Sequence, residues 1–309
     1  MKRVLVLGAT GMLGSMVYRY FRARTTHTVV GTVRTNDPPT DYLAFDAERD
    51  EEQPLGDLLE RVQPNFIVNC VGVIKPYCRD DDPLGIQRAL TVNALFPYRL
   101  AAAAERVHAN VLQIATDCVY SGENGSYLEG SPHDPLDAYG KTKSLGEVKA
   151  ERVLHLRCSI VGPELFRKVS LLEWFLHQED GAIVQGFTHH RWNGVTTLQF
   201  AQCCAEIVNA EERFFDTLIH ASPVHHFLPN ATVTKYELLC ILADVFGKRV
   251  QIEKANQPSP PIDRTLSSRF SFLGTPHGSK PLQDAVEELK VYMEKHTVAV
   301  PASRVSARS

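Results

Sequence analysis

The chain has 309 residues, of which 44% are hydrophobic, and its formal net charge is only −3. This apolar content suffices for a substantial core in one large or two modest domains. The nearly balanced charge disfavours a surface that binds nucleic acid or an anionic membrane. No apolar stretch is long enough to span a bilayer, and no secretory signal is expected at the amino terminus.

The cysteines and histidines indicate the compartment and argue against a metal centre. The seven cysteines lack Cys-x-x-Cys spacing, which favours free thiols in a reducing cytoplasm. The histidine pairs at 189–190 and 225–226 have no companion ligands at usable spacing. We therefore predict a cytoplasmic protein without a metal site.

The amino terminus predicts a strand, a glycine turn and a helix. Residues 2–7 form an apolar run, and an apolar-periodic segment that reaches Phe21 follows the glycines. This context suits a dinucleotide-binding turn, although Gly-x-x-Gly-x-x-Gly differs from the commoner Gly-x-Gly-x-x-Gly. Gly8 permits the tight turn, Gly11 lets a pyrophosphate approach backbone amides at the helix N-terminus, and Gly14 permits close packing of helix and strand.

The second predicted strand, at residues 27–34, bears on the choice of cofactor. NAD-preferring sites place an acidic residue near the end of this strand, but no carboxylate occurs between Gly14 and Asp37. Arg34 stands there instead, and its guanidinium matches a ribose 2′-phosphate, so NADPH is the predicted cofactor. Asp46 either accepts a hydrogen bond from the adenine amino group or is a simple turn residue.

Strand and helix patterns alternate through the first half of the chain. This alternation predicts an α/β fold, a doubly wound parallel sheet of the Rossmann type with helices on both faces. The helix predicted over 84–107 carries Asn93, which either anchors a water or carbonyl near the active site or is an ordinary helical asparagine. The predicted strands lie near residues 3–7, 28–33, 42–46, 65–71, 110–116 and 153–161. The other predicted helices of this half lie near residues 12–22, 55–62 and 138–150.

Three side chains in residues 110–143 predict the chemistry. Thr116 ends an apolar run, and Tyr139 and Lys143 are four residues apart, so they share one face of a helix. A phenol, an ammonium and a hydroxyl brought together can protonate a carbonyl oxygen as hydride arrives at its carbon. We predict that Lys143 lowers the pKa of the phenol through its charge and that Thr116 holds the same oxygen by a hydrogen bond.

After Gly162 the alternation becomes less regular, which predicts a second region. Helices are predicted near residues 169–178, 197–210, 234–246 and 282–295, the third of them opened by a capping box at 234–237. Short strands are predicted near residues 182–185, 217–221 and 250–254. The predicted domains are a nucleotide-binding domain at 1–165, a mainly substrate-binding cap at 166–296 with segments returning to the first domain, and a disordered tail at 297–309.

Four segments together resemble an extended short-chain dehydrogenase/reductase, namely 8–14, 115–120, 137–147 and 156–162. The resemblance is to the dTDP-4-dehydrorhamnose reductase family of nucleotide-sugar 4-ketoreductases, and it is strong over 1–165 and thin afterwards. It implies that the catalytic residues are Thr116, Tyr139 and Lys143. It implies that the residues around the cofactor are Gly8, Thr10, Gly11, Met12, Leu13, Arg34, Asp46, Val71, Gly72, Val73, Asn93, Tyr139 and Lys143. It implies that the residues near the sugar nucleotide are Cys118, Tyr120, Arg191, Trp192 and Asn193.

The implied reaction is hydride transfer from NADPH to C4 of a nucleotide-linked 4-keto-6-deoxyhexose, with a thymidine-linked substrate favoured by the resemblance. Tyr139 supplies the proton, and Lys143 also binds the nicotinamide ribose hydroxyls. Fold relatives are usually dimers, so a homodimer is possible. The nucleotide base, the exact sugar and the configuration at C4 stay open.

Two departures from the family pattern leave alternatives open. Cys118 stands at the offset from Thr116 at which GDP-fucose synthase places a proton-transferring cysteine, but residues 164–173 contain no partner histidine. Cys118 is therefore either an acid/base group or a small apolar packing residue. Trp192 either stacks on the substrate or fills the core of the cap.

Other activities of the same fold compete with the ketoreductase hypothesis. A nucleotide-sugar epimerase or epimerase–reductase is one alternative, although an epimerase that retains its cofactor generally uses NAD. The other is a regulatory subunit of methionine adenosyltransferase, which keeps the fold and binds a dinucleotide as a partner protein. The complete set of Thr116, Tyr139 and Lys143 favours catalysis.

Overall fold

The structure is a computed structural model and describes residues 1–35, 37–49, 52–166, 168–256, 260–273 and 280–296. The predicted tail at 297–309 lies outside the described residues. The strands of the first half are β1 (Arg3–Leu7), β2 (Thr28–Val33), β3 (Tyr42–Ala44), β4 (Phe66–Asn69), β5 (Asn110–Thr116) and β6 (Val153–Cys158). Its helices are α1 (Met12–Arg24), α2 (Glu52–Val62), α3 (Pro83–Ala89), α4 (Phe96–Arg106) and α5 (Ala138–Leu145).

Within its described residues, the second half contains short strands and five helices. The strands are β7 (Ile160–Val161), β8 (Ile183–Phe187), β9 (His190–Trp192), β10 (Val195–Thr196), β11 (Val224–His226), β12 (Val233–Thr234), β13 (Gln251–Ala255) and β14 (Ile262–Asp263). The helices are α6 (Leu171–Leu176), α7 (Thr197–Asn209), α8 (Glu212–Ala221), α9 (Lys235–Phe246) and α10 (Leu282–Lys295).

Seven parallel strands form the central sheet in the order β3-β2-β1-β4-β5-β6-β11. The predicted doubly wound α/β fold is thereby confirmed. The chain runs outward from β1 to β3 and then returns to β4 on the other side of β1. Ligands of open parallel sheets bind at such a reversal, at the carboxyl ends of the strands. Leu7 and Asn69 pair at these ends of β1 and β4.

Segments from the second half also belong to this sheet. Strand β11 pairs with β6, and α7 packs against α1. The strand predicted at 217–221 is wrong, because these residues form the last turns of α8. Phe215 and Leu218, three apart and both buried, give this segment a helical apolar face. The small sheets β12-β9-β14, β13-β8 and β10-β7 lie outside the central sheet.

The helix predicted over 84–107 is interrupted in the middle. A π-helical turn, Leu90–Leu95, separates α3 from α4 and contains the buried Asn93. Such turns frequently occur at functional sites, because they redirect a side chain within a continuous helix. Among the described residues, no helix has both the length and the apolar content needed to cross a membrane.

Candidate active site

The glycine turn between β1 and α1 leaves the first backbone amides of α1 without a capping side chain. Gly8 has a φ of +75°, and its N–H donates to the Thr32 hydroxyl at 3.0 Å. The Gly11 N–H donates to the Gly8 carbonyl at 3.0 Å. Gly11 is the N-cap of α1, and no side chain caps this helix. The first amides of α1 therefore offer an anion the hydrogen bonds that a capping side chain usually accepts.

Gly14 determines how closely α1 approaches this turn. A β-carbon at Gly14 would lie 2.1 Å from the Gly8 carbonyl oxygen, so Gly14→Ala must push the helix away. We expect a loss of about 1–3 kcal/mol in the free energy of unfolding, measured by urea denaturation, together with weaker dinucleotide binding. Gly56→Ala in α2 is the control, because its nearest neighbour would be the Arg106 side chain at 3.7 Å, and it should stabilise by about 0.5–1 kcal/mol. Equal effects of the two substitutions would contradict this account.

The other residues predicted to lie near the adenosine half of the cofactor follow strands β1, β2 and β3. Arg34 follows β2 and is exposed. Asp46 follows β3 and is half-buried, where its carboxylate accepts the Glu48 N–H at 3.0 Å. Thr10 lies in the glycine turn and Met12 opens α1. The side chain of Leu13 packs in the core, so only its backbone can meet a cofactor.

A second group of predicted residues surrounds the Lys143 ammonium. A β-carbon at Gly72 would lie 3.1 Å from Lys143 Nζ and 3.5 Å from Asn93 Oδ1. The Asn93 amide bonds to both backbone groups of Val73, with its oxygen accepting from N–H and its nitrogen donating to C=O, each at 2.9 Å. Asn93 thus fixes the backbone of Val73, which follows Val71 and Gly72. Because Gly72 has no side chain, the Lys143 ammonium can lie next to it. Gly72 itself is exposed, and we call this backbone segment, with Lys143 beside it, the cradle at Gly72; a ribose that contacts it would meet the Lys143 ammonium.

The three predicted catalytic residues come together at the carboxyl ends of the strands. Thr116 is the last residue of β5, and Tyr139 and Lys143 lie one turn apart on α5. The Thr116 hydroxyl donates to the Asp117 carboxylate at 3.2 Å and accepts the Cys118 N–H at 3.2 Å, and Thr116 is close enough to Tyr139 to influence the pKa of its phenol. Asp137 caps α5 by accepting the Gly140 N–H at 2.8 Å. This cap fixes the start of the helix that carries the phenol and the ammonium.

The titration behaviour of the site is governed by burial. Burial raises the pKa of the Tyr139 phenol, and the neighbouring Cys118 and Asp117 raise it further, whereas the nearby Thr116 side chain lowers it. Lys143 is not among the groups that shift this pKa most, contrary to the prediction. Burial instead lowers the pKa of Lys143 itself to about 8. The Cys118 thiol is shifted in the opposite direction, with burial raising its pKa to about 11.

Tyr120 is fully buried, so in this structure it cannot face a substrate as predicted. Its ring stacks on Tyr127 with the centroids 4.2 Å apart. Its hydroxyl donates to the Leu128 carbonyl at 2.9 Å and accepts from Arg157 Nη1 at 2.6 Å. A buried guanidinium requires acceptors for its N–H groups, and supplying one of them is the role that the structure gives to this phenol.

Arg191 and Trp192 lie on strand β9, with different surroundings. The Arg191 side chain is exposed and forms an ion pair with Asp263 at 3.4 Å. Trp192 is 5% exposed, and its indole N–H donates to the Ser159 hydroxyl at 2.7 Å. This environment favours the second of the two predicted roles for Trp192, filling the core of the cap.

Asn193 is buried and holds a neighbouring loop in place. Its amide nitrogen donates to the Leu266 carbonyl at 2.8 Å, and its amide oxygen accepts the Leu266 N–H at 3.0 Å. Both ends of the amide are therefore used within the protein. The predicted contact of the Asn193 side chain with a sugar nucleotide does not fit this arrangement.

Four charged residues near the site were not found from the sequence. Asp117 is 6% exposed. Its place in the sequence between Thr116 and Cys118, both predicted site residues, could have indicated that it lies in the site. Lys235 follows Thr234 of the predicted capping box, which the structure confirms. Lys75 lies in a short 3-10 turn after β4. Arg264 lies just after β14. Nothing in their local sequence indicates that they approach Asp117.

The fold and the site are those of an extended short-chain dehydrogenase/reductase. The parallel sheet, the uncapped glycine turn and the cradle at Gly72 could hold a dinucleotide, and Tyr139 and Lys143 lie beside that cradle. The chain belongs to the family described as the RmlD substrate binding domain, whose model matches residues 1–275. The resemblance identified from the sequence motifs is thereby confirmed.

The proteins similar to this chain include both a subunit of another enzyme and reductases. The chain is 30% identical over 255 residues to methionine adenosyltransferase 2 subunit beta of Mus musculus, which covers 80% of this chain and 72% of the relative. It is similar in fold to a dTDP-4-dehydrorhamnose reductase of Clostridium acetobutylicum, with a TM-score of 0.74, 18% identity and coverage of 94% and 99%. A dTDP-4-dehydrorhamnose reductase of Bacillus anthracis in complex with NADP gives a TM-score of 0.74 at 16% identity, with coverage of 94% and 98%.

Proposed function

We propose that the protein uses NADPH to reduce the C4 ketone of a nucleotide-linked 4-keto-6-deoxyhexose, with a thymidine-linked sugar favoured. The observation that carries the proposal is the set of Thr116, Tyr139 and Lys143 beside the cradle at Gly72. A binding protein has no need of a phenol, a hydroxyl and an ammonium arranged in this way. The NADP complex of the Bacillus anthracis relative supports the cofactor. A cytoplasmic location is supported by the seven free cysteines.

Each residue of the set has a separate task in this mechanism. Bound NADPH supplies the hydride. Tyr139 donates its proton to the developing alkoxide, and its raised pKa keeps the phenol protonated until then. The Thr116 hydroxyl is proposed to hold the Tyr139 oxygen in place once Tyr139 has given up its proton. Lys143 binds ribose hydroxyls and supplies positive charge beside the oxyanion as it forms.

The direct test follows NADPH absorbance with the purified full chain. dTDP-4-keto-6-deoxyglucose is the first substrate, and the GDP- and UDP-linked keto sugars are run in parallel. We expect oxidation of NADPH with one of them, and NMR of the product then gives the configuration at C4. If none of the three oxidises NADPH although the cofactor binds, the proposal fails.

Arg34 should decide between the two nicotinamide cofactors. Its exposed guanidinium at the end of β2 is proposed to bind the 2′-phosphate, and a charge-assisted contact of this kind contributes about 1.5–3 kcal/mol. We expect Arg34→Ala to raise the KM for NADPH roughly ten- to hundred-fold and to leave the KM for NADH nearly unchanged. Arg24→Ala, at the far end of α1, is the control. An unchanged ratio of the two KM values would refute this assignment.

The pH dependence should report the ionisation of Lys143. Because burial lowers the pKa of Lys143 to about 8, its ammonium is lost at a lower pH than that of a free lysine. We expect kcat/KM for the ketone to fall about ten-fold per pH unit above that value. Lys143→Arg, whose guanidinium stays charged, should be less active but should not show this fall. A wild-type profile that stays flat up to the pH at which free lysine titrates would contradict the role of the ammonium.

The similarity to methionine adenosyltransferase 2 subunit beta favours a second candidate. In this alternative the protein binds a dinucleotide and acts as the partner of a methionine adenosyltransferase. The distinguishing experiment adds the purified chain, with and without NADPH, to such an enzyme and measures its rate and its affinity for methionine. A change in either, together with no oxidation of NADPH by the keto sugars, would favour this candidate over the reductase.

A further inference from the structure

Lys75 lies beside the proposed proton donor, although it comes from another part of the chain. It begins a short 3-10 turn after β4, and its Nζ lies over the Tyr139 ring, 5.9 Å from the centroid. An ammonium at this distance is attracted to the face of an aromatic ring. The same Nζ forms an ion pair with Asp137 Oδ2 at 2.6 Å. Lys75 therefore meets both the phenol and the residue that caps its helix.

Asp137 uses its two carboxylate oxygens for different partners. Oδ1 accepts the Gly140 N–H at 2.8 Å and thereby caps α5, whereas Oδ2 meets Lys75. A single hydrogen bond lets a carboxylate rotate about its bond to the chain, and the second contact fixes its plane. This matters because α5 has only eight residues, and helices this short depend on contacts outside themselves.

The segment after β4 also holds the first turn of α5 directly. The Asp80 carboxylate accepts the Ala138 N–H at 2.7 Å. The Tyr139 ring packs against a small apolar cluster that includes Val73 and Cys78 of the same segment. Lys75 lies in the sequence between Val73 and Cys78, so its ion pair fixes the middle of this segment to the start of α5.

The opposite side of this turn rests on the backbone that follows β5. A β-carbon at Gly140 would lie 2.2 Å from the Cys118 carbonyl oxygen, so the two backbones are in direct contact. The first turn of α5 is therefore enclosed between Cys118 and the segment at 73–80. A displacement of Tyr139 away from β5 requires that segment to move as well.

We propose that Lys75 is a positioning residue, which holds Tyr139 where it can donate its proton through the ion pair with Asp137 and through its own place beside the ring. This inference rests on the proposed function, because it concerns how the proton donor of that reaction is held. Proton transfer requires the phenol within hydrogen-bond reach of the developing alkoxide. A misplacement of about 1 Å can lower the rate about 10²-fold, so a contact that fixes the first turn of α5 affects kcat.

Kinetics of the full chain test the inference first. Lys75→Met should lower kcat for ketone reduction about ten- to hundred-fold, while the KM for NADPH stays within about two-fold of the wild-type value. Lys75→Arg should recover most of kcat, because a guanidinium can also pair with the Asp137 carboxylate. Arg79→Met is the matched control, since Arg79 lies in the same segment and forms an exposed ion pair with Asp81. The Lys75 side chain is 43% exposed, so Lys75→Met opens no cavity, and thermal melting verifies the fold.

A double-mutant cycle with Asp137→Asn shows whether Lys75 acts through Asp137. Asparagine can still cap the helix, but it lacks the charge that holds Lys75. We expect Asp137→Asn to lower kcat about as much as Lys75→Met does, and the double variant to lose no more than either single variant. Losses that multiply in the double variant would show that the two residues act separately and would overturn the inference.

Amide hydrogen exchange gives a measure that needs no turnover. In the chain saturated with NADP⁺, we expect Lys75→Met to speed exchange at Ala138 and Gly140 about three- to ten-fold relative to wild type, without a change in α4. Unchanged exchange at these two amides, or wild-type kcat in Lys75→Met, would overturn the inference. Faster exchange in the expected pattern, in a protein that reduces none of the keto sugars, would retain the role of Lys75 in holding Tyr139 and refute the reductase.

Discussion

Replacing Tyr139 by phenylalanine should lower kcat for ketone reduction about 10³-fold or more while leaving the dissociation constant for NADPH nearly unchanged. The substitution removes the proton donor and little contact area. The Tyr139 phenol lies on α5 near Thr116, which influences its pKa, and no other phenol among the predicted site residues is accessible, because Tyr120 is fully buried. Single-turnover kinetics with saturating NADPH, together with fluorescence titration of the cofactor, give the two quantities.

The control for this variant is another tyrosine in a helix. Tyr98 lies in α4 and is half exposed, so Tyr98→Phe should change neither kcat nor cofactor affinity. A Tyr139→Phe protein with wild-type kcat would eliminate the proposed mechanism. A protein that loses NADPH binding in parallel with kcat would instead assign Tyr139 a structural role.

The largest expected effect on stability is that of Arg157→Met. Arg157 is 1% exposed and forms an ion pair with Glu147, with Nη2 and Oε2 2.5 Å apart and Nε and Oε1 3.0 Å apart. Its remaining N–H groups donate to the Tyr120 hydroxyl at 2.6 Å and to ring nitrogens of His226 and His133 at 2.8 and 3.0 Å. Removing the guanidinium leaves the buried Glu147 carboxylate with only the His133 ring near it, at 3.6 Å, which costs about 3–5 kcal/mol in the free energy of unfolding.

A double variant separates the charge from the packing. Arg157→Met combined with Glu147→Leu removes both charges, and replacing a buried pair by apolar side chains is often close to neutral. We therefore expect urea denaturation to show the double variant more stable than Arg157→Met alone. A single variant as stable as wild type, or a double variant less stable than the single, would contradict this explanation.

The same network also supports the active site. Glu147 lies four residues after Lys143, just beyond the end of α5, and its negative charge raises the pKa of that lysine. The ion pair with Arg157 on β6 therefore anchors the segment that follows the catalytic helix to the central sheet. Burial and the charge of Arg157 lower the pKa of His226 to about 4, so this imidazole stays neutral and can accept the guanidinium N–H at neutral pH.

Local patterns in the sequence predicted the structural features that depend only on residues close together in the chain. The strand, glycine turn and helix at the amino terminus follow from an apolar run, a residue that adopts positive φ at Gly8 and an apolar period. The shared face of Tyr139 and Lys143 follows from helical spacing alone. These features depend on contacts within about ten residues, and the parallel sheet follows from their alternation.

Only the tertiary structure decided the features that depend on distant contacts. The segment at 217–221 is apolar enough for a strand, but Phe215 and Leu218 pack as one face of a helix. Tyr120 and Asn193 are polar residues that the family resemblance places near the substrate, yet the structure uses their polar groups for Arg157 and Leu266. Lys75, Lys235 and Arg264 all exert their charge on Asp117, although they come from three segments with no common local pattern. Such groupings depend on how the chain folds back on itself, and one sequence contains no local signal for that.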